Sequence, residues 1–579
     1  MQKTHLKLII WALLLALTLA GAWVVVSGSA NLLASFERGA EPASALNIVP
    51  NVPPDLHVAL SWAADDADSG RQIDPLTRSQ IESVYIRAWL QINLSYQKGE
   101  PHGLTTYFTG PALAEVSAAV RRTHSDGFSI EQADTAHHLQ LHLSSAEGSI
   151  VAFTDHDATV VHVIRDAKGT IISVEETRAD YDVVMLLENG LWHVRHWVRR
   201  AATEADNRPI APACPGCARV DGTGLRVDGT PFAVAGINYY PQATPWDTFW
   251  PQYDPAVIDR DLSRIKGLGL NTIRIFVPYE QFGGPHVDPI MRDRLSDLLD
   301  RAEAQNLKLI VTLFDFRGDY SLLHWADADR QLETLLTYFA GHPAILAWDL
   351  KNEPDLDDAR VGGQIVDTWL RHIALLARSY DPNHILTIGW SSPTAAVRLV
   401  GQVDMVQFHY YAPVAELATG YVALRQAAPD KPLLLGEFGL PTWNTVFPNG
   451  HTEAEQATYY AALLSRLQHL DPSTGHLAWT LYDFARVPAT VAGRWPWQTG
   501  PQAYLGIIRT DGSEKPAAAL LAPGANLTIA PLPIWARLLK PFWLLMLGAT
   551  LVEIVGLAWA FDREIRKRRG AAAPMHPHP

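Results

Sequence analysis

The run Ile345-Leu346-Ala347-Trp348-Asp349-Leu350-Lys351-Asn352-Glu353-Pro354 decides the fold of the larger part of this chain. It is a mostly apolar stretch of strand length, and it ends in a carboxylate, Glu353. The run Pro432-Leu433-Leu434-Leu435-Gly436-Glu437 is built the same way and ends in Glu437. A carboxylate beside buried backbone is costly unless it is paired or takes up a proton. Two such placements therefore indicate acid/base chemistry.

Short buried runs alternate with helical stretches on both sides of these two segments, which is typical of a parallel sheet. The eight candidate strands cover residues 232–239, 271–277, 308–314, 345–351, 385–388, 404–408, 432–436 and 477–481. This order predicts an α/β fold, a TIM (β/α)8 barrel over residues 225–522, with its chemistry at the carboxyl ends of the strands. Strands four and seven would then place Glu353 and Glu437 across the barrel mouth.

Glycoside hydrolysis requires two carboxyl groups that flank one bond. One is protonated and assists departure of the leaving oxygen, and the other is ionised and attacks carbon or activates water. For either motif alone, an ordinary loop salt bridge would be a fair interpretation. The occurrence of Glu353 and Glu437 at matched strand ends favours the catalytic one.

These motifs resemble the clan of barrel glycoside hydrolases that includes the family-five cellulases and mannanases, over roughly residues 225–520. The resemblance implies that Glu353 is the acid/base and Glu437 the nucleophile of a retaining reaction. The resemblance also implies five substrate-site residues: Arg274, Asn352, His409, Tyr411 and Trp479. They lie in the motifs Asn271-Thr272-Ile273-Arg274, Asn352-Glu353, Phe408-His409-Tyr410-Tyr411 and Ala478-Trp479-Thr480.

Each of these positions carries an expected role. Arg274 can donate a forked pair of hydrogen bonds to Glu437 and favour its ionised form, and Tyr411 can donate to the same carboxylate. The resemblance implies that Asn352 bonds the sugar 2-hydroxyl. His409 either orients Glu353 or touches substrate, unless it is only a buried histidine bonded to backbone.

Aromatic side chains near the strand ends offer flat faces for stacking on a sugar. The resemblance places Trp479 under the sugar as a platform. Four further tryptophans are candidates either for stacking or for the core of loops: Trp390, Trp443, Trp495 and Trp497. One departure from the resemblance stands after the third strand, where Phe314-Asp315-Phe316-Arg317 replaces a histidine that is common in family five.

The predicted function is retaining hydrolysis of a β-linked polysaccharide or oligosaccharide, of β-glucan or β-mannan type, with no metal and no cofactor. A transglycosylase using the same residues is one alternative. A non-catalytic, membrane-anchored glycan-binding protein is another.

Two apolar stretches flank the rest of the chain and predict membrane segments. Residues 1–27 predict a transmembrane anchor, or a signal sequence cleaved near Ala20-Gly21-Ala22. Residues 541–561 predict a transmembrane helix, followed by a basic tail over 562–579. The positive charges at both ends predict cytoplasmic termini and an extracytoplasmic catalytic domain. Linkers are expected over 28–75 and 523–540.

Residues 76–200 predict a smaller α+β domain, with a helix followed by strands. This order is weakly similar to the nuclear-transport-factor-like cone fold. A metal site at His137, His138 and His142 is the less favoured interpretation, and a solvated or hydrogen-bonded set is favoured. Residues 201–224 predict a linker, in which Cys214 and Cys217 favour a local disulfide over redox chemistry.

The formal net charge of −14 works against a nucleic-acid partner. Binding to phosphates needs clustered lysine and arginine, and no basic stripe occurs outside the termini. A carbohydrate substrate and the membrane are therefore the expected partners.

Overall fold

The computed structural model describes residues 58–201, 214–443, 450–529 and 541–571. The chain divides into two compact units, with the boundary after Glu204. The predicted N-terminal anchor over residues 1–27 lies outside the described residues.

Within its described residues, the first unit contains two helices and one five-stranded sheet. The helices are α1 (Pro75–Lys98) and α2 (Gly110–Ser125), and the strands are β1 (Ala59–Trp62), β2 (Ser129–Ser144), β3 (Ile150–Arg165), β4 (Ile171–Glu188) and β5 (Leu191–Ala201). The strands follow chain order in the sheet, and only the β1–β2 pair is parallel. Asp74 caps the start of α1 by accepting a hydrogen bond from the Thr77 N–H, which satisfies one free donor of the first turn.

The three histidines that were weighed as a metal site, His137, His138 and His142, all have hydrogen-bonding partners. His137 is buried between Asp155, at 2.6 Å from Nδ1, and Asp134, at 2.9 Å from Nε2. His138 contacts the Ser61 hydroxyl, and His142 contacts Asp66 and Thr154. These contacts give each ring a structural role in the sheet.

The second unit begins with a disulfide between Cys214 and Cys217, as favoured from the sequence. A small antiparallel sheet follows, made of β6 (Ala218–Asp221), β7 (Gly224–Val227) and β8 (Thr230–Phe232). Part of the expected linker is therefore ordered sheet.

A closed barrel of eight parallel strands forms the rest of this unit, which confirms the predicted barrel. The strands are β9 (Ala235–Asn238), β10 (Thr272–Pro278), β11 (Lys308–Asp315), β12 (Ile345–Asn352), β13 (Ile385–Trp390), β14 (Val406–Tyr410), β15 (Leu433–Phe438) and β16 (Gly475–Ala478). The connecting helices are α3 (Pro255–Gly267), α4 (Pro289–Ala304), α5 (Trp325–Phe339), α6 (Asp358–Val361), α7 (Gly363–Tyr380), α8 (Leu417–Ala427), α9 (Glu453–Leu470), α10 (Ala489–Ala492) and α11 (Pro496–Ala503). Short 3-10 turns lie at Leu104–Thr106, Trp246–Thr248, Leu322–His324, Pro354–Asp357, Ala395–Val397, Val400–Gln402, Val414–Glu416 and Pro516–Leu520.

The register of the barrel brings polar side chains to one level inside it. Asn238 pairs with Arg274 across β9 and β10, and His409 pairs with Glu437 across β14 and β15. Residues paired in neighbouring parallel strands point to the same face of a sheet. The barrel interior therefore carries a polar layer near its carboxyl-terminal end, where TIM barrels have their active sites.

The predicted fold with flanking transmembrane helices was wrong at the C-terminal helix predicted over residues 541–561. In the described part of the chain, no helix is long and apolar enough to span a bilayer. The helix α12 (Pro541–Ala571) carries the ionisable residue Glu553 within its apolar part. A spanning helix needs about 20 consecutive apolar residues. The same finding overturns the membrane localisation that was built on these helices.

Candidate active site

The two predicted carboxylates meet at the carboxyl-terminal end of the barrel. A carboxylate oxygen of Glu353, one of Glu437 and a ring nitrogen of His409 all lie within 4.8 Å of one another. The Nδ1 atom of His409 lies 2.9 Å from Oε1 of Glu353 and 3.6 Å from Oε2 of Glu437. His409 is fully buried and lies between the two acids as a shared neighbour.

Glu353 follows β12 with its backbone in the left-handed region, at φ 44°. Its N–H donates to the carbonyl of Gly389 over 2.6 Å, which ties the residue to the next strand. Non-glycine residues seldom adopt this conformation, and such strain concentrates at functional sites. Pro354 then begins a short turn, so the chain leaves the barrel directly after the carboxylate.

Arg274 on β10 joins the site into one hydrogen-bonded network. Its Nη1 atom donates to Glu437 over 2.5 Å, and its Nη2 atom donates to Asn352 over 2.8 Å. The fork expected toward Glu437 instead reaches Asp349, to which Nε and Nη2 donate over 2.9 and 2.7 Å. A fully buried guanidinium needs this counter-charge, because an unpaired buried charge is strongly destabilising.

Glu437 accepts a hydrogen bond on each oxygen. Oε1 accepts from Arg274, and Oε2 accepts from the Tyr411 hydroxyl over 3.0 Å. Both donors hold the carboxylate in one orientation.

The pKa of Glu353 is below its ordinary value. Burial raises this pKa, but the hydrogen bond and the charge of His409, together with the charge of Arg274, lower it by more. The Glu353 side chain is still 24% exposed toward the cavity. A sugar bound there would remove this exposure and raise the pKa.

A cavity of about 550 Å³ opens over the two glutamates. Its lining residues are Tyr240, Trp246, Phe276, Asp315, Phe316, Asn352, Glu353, Tyr411, Glu437, Pro441, Trp479, Val491, Gln502 and Leu505. Trp479 stands in the wall, and its ring meets the rings of Tyr240 and Phe276 edge to face, with centroids 6.3 and 5.7 Å apart. The cavity thus combines aromatic faces with a few convergent polar groups, as is usual for small-molecule sites.

The structure brings all seven predicted site residues together. Glu353, Glu437, Asn352, Tyr411 and Trp479 line the cavity, and Arg274 and His409 support them from inside the barrel.

Sequence reasoning missed Asp349, Asn238 and Asp315. Asp349 accepts from Arg274, Thr312 and the Gly389 N–H, and Asn238 accepts from Arg274 over 3.1 Å. The signal that marks them is a polar side chain inside an apolar strand, because a buried polar group must have a partner.

The four further tryptophans are not part of the cavity lining. Trp390 is buried in the core, with Arg398 over its ring. Trp443 packs against Gly500. Trp495 and Trp497 are exposed and stack on each other, with ring centroids 5.0 Å apart.

Known mannan-degrading enzymes are similar to this chain in sequence, although no protein-family model matches it. Mannan endo-1,4-beta-mannosidase 1 of Oryza sativa subsp. japonica is 24% identical over 340 residues, which are 44% of this chain and 78% of that enzyme. The enzyme of the same name from Arabidopsis thaliana is 24% identical over 220 residues, 32% of this chain and 53% of its own length. Mannan endo-1,4-beta-mannosidase A of Podospora anserina is also 24% identical, over 30% of this chain and 53% of its own length. The chain therefore spans only about half the length of two of these three relatives.

Solved structures with similarity to the chain include an exo-beta-1,4-mannosidase from an Opitutaceae bacterium, with a TM-score of 0.43, 21% identity and coverage of 52% of this chain and 61% of that one. A GH5_18 enzyme from Streptomyces cattleya in complex with Manb1-4GlcNAc has a TM-score of 0.43, 19% identity and coverage of 52% and 83%. The sequence relatives, with the eight-stranded barrel, confirm the resemblance to cellulase- and mannanase-like glycoside hydrolases and the enzyme class predicted from the motifs.

Proposed function

We propose that this glycoside hydrolase cleaves β-1,4-linked, mannan-type chains with retention of configuration, using Glu437 as nucleophile and Glu353 as acid/base. The observation that carries the proposal is the closeness of the two carboxylates, since an oxygen of Glu353 lies within 4.8 Å of an oxygen of Glu437. Retaining enzymes hold their carboxyl groups about 5–5.5 Å apart, and inverting enzymes about 6.5–9.5 Å. The mannan-type substrate is proposed from the sequence relatives, which are named as mannan endo-1,4-beta-mannosidases.

The first step forms a bond between an oxygen of Glu437 and the anomeric carbon. The glycosidic bond breaks, and its oxygen takes the proton of Glu353. Arg274 and Tyr411 hydrogen-bond to the Glu437 carboxylate and orient it for this attack. Asn352 accepts from Arg274 through its Oδ1, so its amide N–H groups remain to donate to a sugar hydroxyl.

The second step reverses these roles. Glu353, now a carboxylate, takes a proton from water, and the resulting hydroxyl attacks the anomeric carbon. The bond to Glu437 breaks, which restores the Glu437 carboxylate and leaves Glu353 protonated. Two inversions at one carbon give net retention.

The test is to measure hydrolysis of β-1,4-mannan and β-1,4-glucan by the wild type and by Glu437→Gln and Glu353→Gln. Glu437→Gln should lower kcat on mannan by at least about 1,000-fold with a nearly unchanged melting temperature, because the amide is isosteric but not nucleophilic. Glu303→Gln, on exposed α4, is the matched control and should leave the rate unchanged.

Product stereochemistry supplies the second readout. NMR of the first products should show the β-anomer before mutarotation. Appearance of the α-anomer, or wild-type activity in Glu437→Gln, would contradict the assignment. Cleavage of glucan but not mannan would contradict the substrate, and a product joined to an added sugar acceptor would indicate a transglycosylase.

A further inference from the structure

We propose that Asp315 is a specificity-determining residue, which accepts hydrogen bonds from hydroxyl groups of the sugar in the cavity and disfavours sugars that carry a carboxylate. This inference rests on the proposed glycosidase function. It assigns to a residue that the mechanism does not use the discrimination between a neutral hexose and an acidic sugar.

Asp315 is held at the cavity wall by strained backbone. It is the last residue of β11, and its neighbours Phe314 and Phe316 both have left-handed backbones, at φ 51° and 58°. Bulky residues rarely adopt this conformation, because it strains the backbone. The Tyr279 N–H donates to the Asp315 carbonyl over 3.1 Å and fixes the turn. Such strain persists where the surrounding structure imposes it, and here it brings one carboxyl group to the cavity.

A buried lysine supports this turn from behind. Lys351 on β12 donates through Nζ to the Phe314 carbonyl over 3.2 Å. Burial lowers the pKa of Lys351 to about 8, even though the charge of Asp315 opposes the shift. Lys351 therefore supplies a counter-charge to Asp315, and its hydrogen bond holds the strained backbone of Phe314.

Asp315 can act as an acceptor at neutral pH. Burial raises its pKa to about 6, and the charges of Lys351 and Arg274 hold it from rising further. An ionised carboxylate accepts hydrogen bonds and donates none. Its neighbour in the cavity wall is Tyr240, whose pKa is raised by burial and by the charge of Asp315. Tyr240 also hydrogen-bonds to Asp315, and the remaining acceptor positions of the carboxylate can meet sugar hydroxyls from the cavity side.

The charges around the cavity disfavour an acidic sugar. Asp315, Glu353 and Glu437 all line the cavity, whereas Arg274 and Lys351 are buried and hydrogen-bonded behind the lining residues. A bound uronate would bring a fourth carboxylate close to three others, and juxtaposed like charges are penalised. A neutral hexose meets no such penalty.

The test measures kcat/KM of the full chain on an aryl β-mannoside and on its 3-, 4- and 6-deoxy analogues, with wild type, Asp315→Asn and Asp315→Ala. On the parent mannoside, Asp315→Ala should lose about 10- to 100-fold, the range for a hydrogen bond to a charged group. On at least one deoxy analogue the loss should shrink to less than about 3-fold, because the hydroxyl that Asp315 bonds is already absent. Equal losses on all four substrates would overturn the contact.

The effect of the Asp315 charge on acidic sugars is measured separately. The ratio of kcat/KM for the mannoside to that for the corresponding mannuronide should fall at least 10-fold in Asp315→Asn, since the amide keeps the shape but removes the charge. An unchanged ratio would overturn the exclusion of acidic sugars. Asp293→Asn, on exposed α4, is the control and should change neither ratio nor rate.

Failure of this inference can be told apart from failure of the proposed function. Turnover of the aryl glycoside by wild type, with uniform effects of Asp315 substitution, contradicts the inference alone. Absence of turnover on every β-glycoside contradicts the proposed function, and the inference with it. Asp315→Asn preserves the volume of the side chain, so a melting temperature close to wild type shows that a rate change is not a loss of folding.

Discussion

At the residue scale, His409 lies between the two carboxylates and affects the pKa of Glu353. It is fully buried, and Nδ1 faces Glu353 at 2.9 Å, while Nε2 has no hydrogen-bond partner among the described residues. The histidine thus acts through Glu353, as a positioning residue.

Replacement of His409 by phenylalanine should move the alkaline limb of the kcat/KM profile to higher pH. Burial raises the pKa of Glu353, and the hydrogen bond and charge of His409 are the largest causes that lower it. Without them the pKa rises, so Glu353 keeps its catalytic proton to a higher pH. The measurement is kcat/KM of an aryl β-mannoside from pH 4 to pH 9.

A dinitrophenyl glycoside is the control substrate for this variant. Its leaving group departs without a proton, so the alkaline limb that reports Glu353 should be absent for both proteins. If the alkaline limb stays in place in His409→Phe, or moves equally for both substrates, the prediction that His409 lowers the pKa of Glu353 is contradicted.

At the element scale, the strands of the barrel approach one another closely where the buried charges meet. A Cβ atom on Gly389 of β13 would lie 2.8 Å from Nη2 of Arg274 and 3.1 Å from Oδ2 of Asp349. Glycine at this position therefore leaves room for the ion pair that holds Glu437. The position of Glu437, the proposed nucleophile, therefore depends on the absence of a side chain at position 389.

Gly389→Ala should displace Arg274 and lower kcat by about 100-fold, the cost of a misplacement of about 1 Å. Overpacking at this point should also destabilise the barrel by about 1–3 kcal/mol. Gly401→Ala is the matched control, because a Cβ there meets no atom within 4 Å. Enzyme kinetics and thermal unfolding of both variants check the prediction, and a Gly389→Ala enzyme with wild-type kcat would contradict it.

At the scale of the whole molecule, the chain forms two compact units with different charge chemistry in their interiors. The barrel buries an arginine between carboxylates, whereas the first unit buries His137 between Asp134 and Asp155. Burial alone lowers the pKa of His137, but the charges and hydrogen bonds of the two aspartates outweigh it and raise this pKa to about 10. The ion pair therefore stabilises the first unit only while the histidine is protonated.

Stability of the first unit should decrease as pH rises from about 6.5 to about 10. The folded-state pKa of His137 is above the ordinary value of about 6.5, so its contribution is complete below that pH and is lost as pH rises through about 10. Chemical denaturation of the full chain between pH 6 and pH 10, followed by tryptophan fluorescence, measures this loss. His137→Gln should flatten the dependence, and His142→Gln, which is partly exposed, should leave it unchanged. A first-unit stability that rises with pH in the wild type would contradict the assignment.

The order of strands, the barrel and the two glutamates were predictable because they depend on local pattern. Apolar runs of strand length between helical stretches specify a parallel sheet, and the chain direction puts the end of every strand at one edge. The predicted run over 345–351 differs from the observed strand Ile345–Asn352 by one residue. The membrane segments were also predicted from local composition, and among the described residues no helix is long and apolar enough to span a bilayer.

The sequence by itself determined the barrel, the disulfide, and the carboxylates Glu353 and Glu437 at the ends of matched strands. Only the tertiary structure decided that Arg274 directs its fork to Asp349, that His409 lies between the two acids, and that strained backbone brings Asp315 to the cavity. The physical reason is that these contacts join residues from different strands, far apart in the chain. Their partners follow from closure of the barrel and the register of its strands, which no local run of residues encodes.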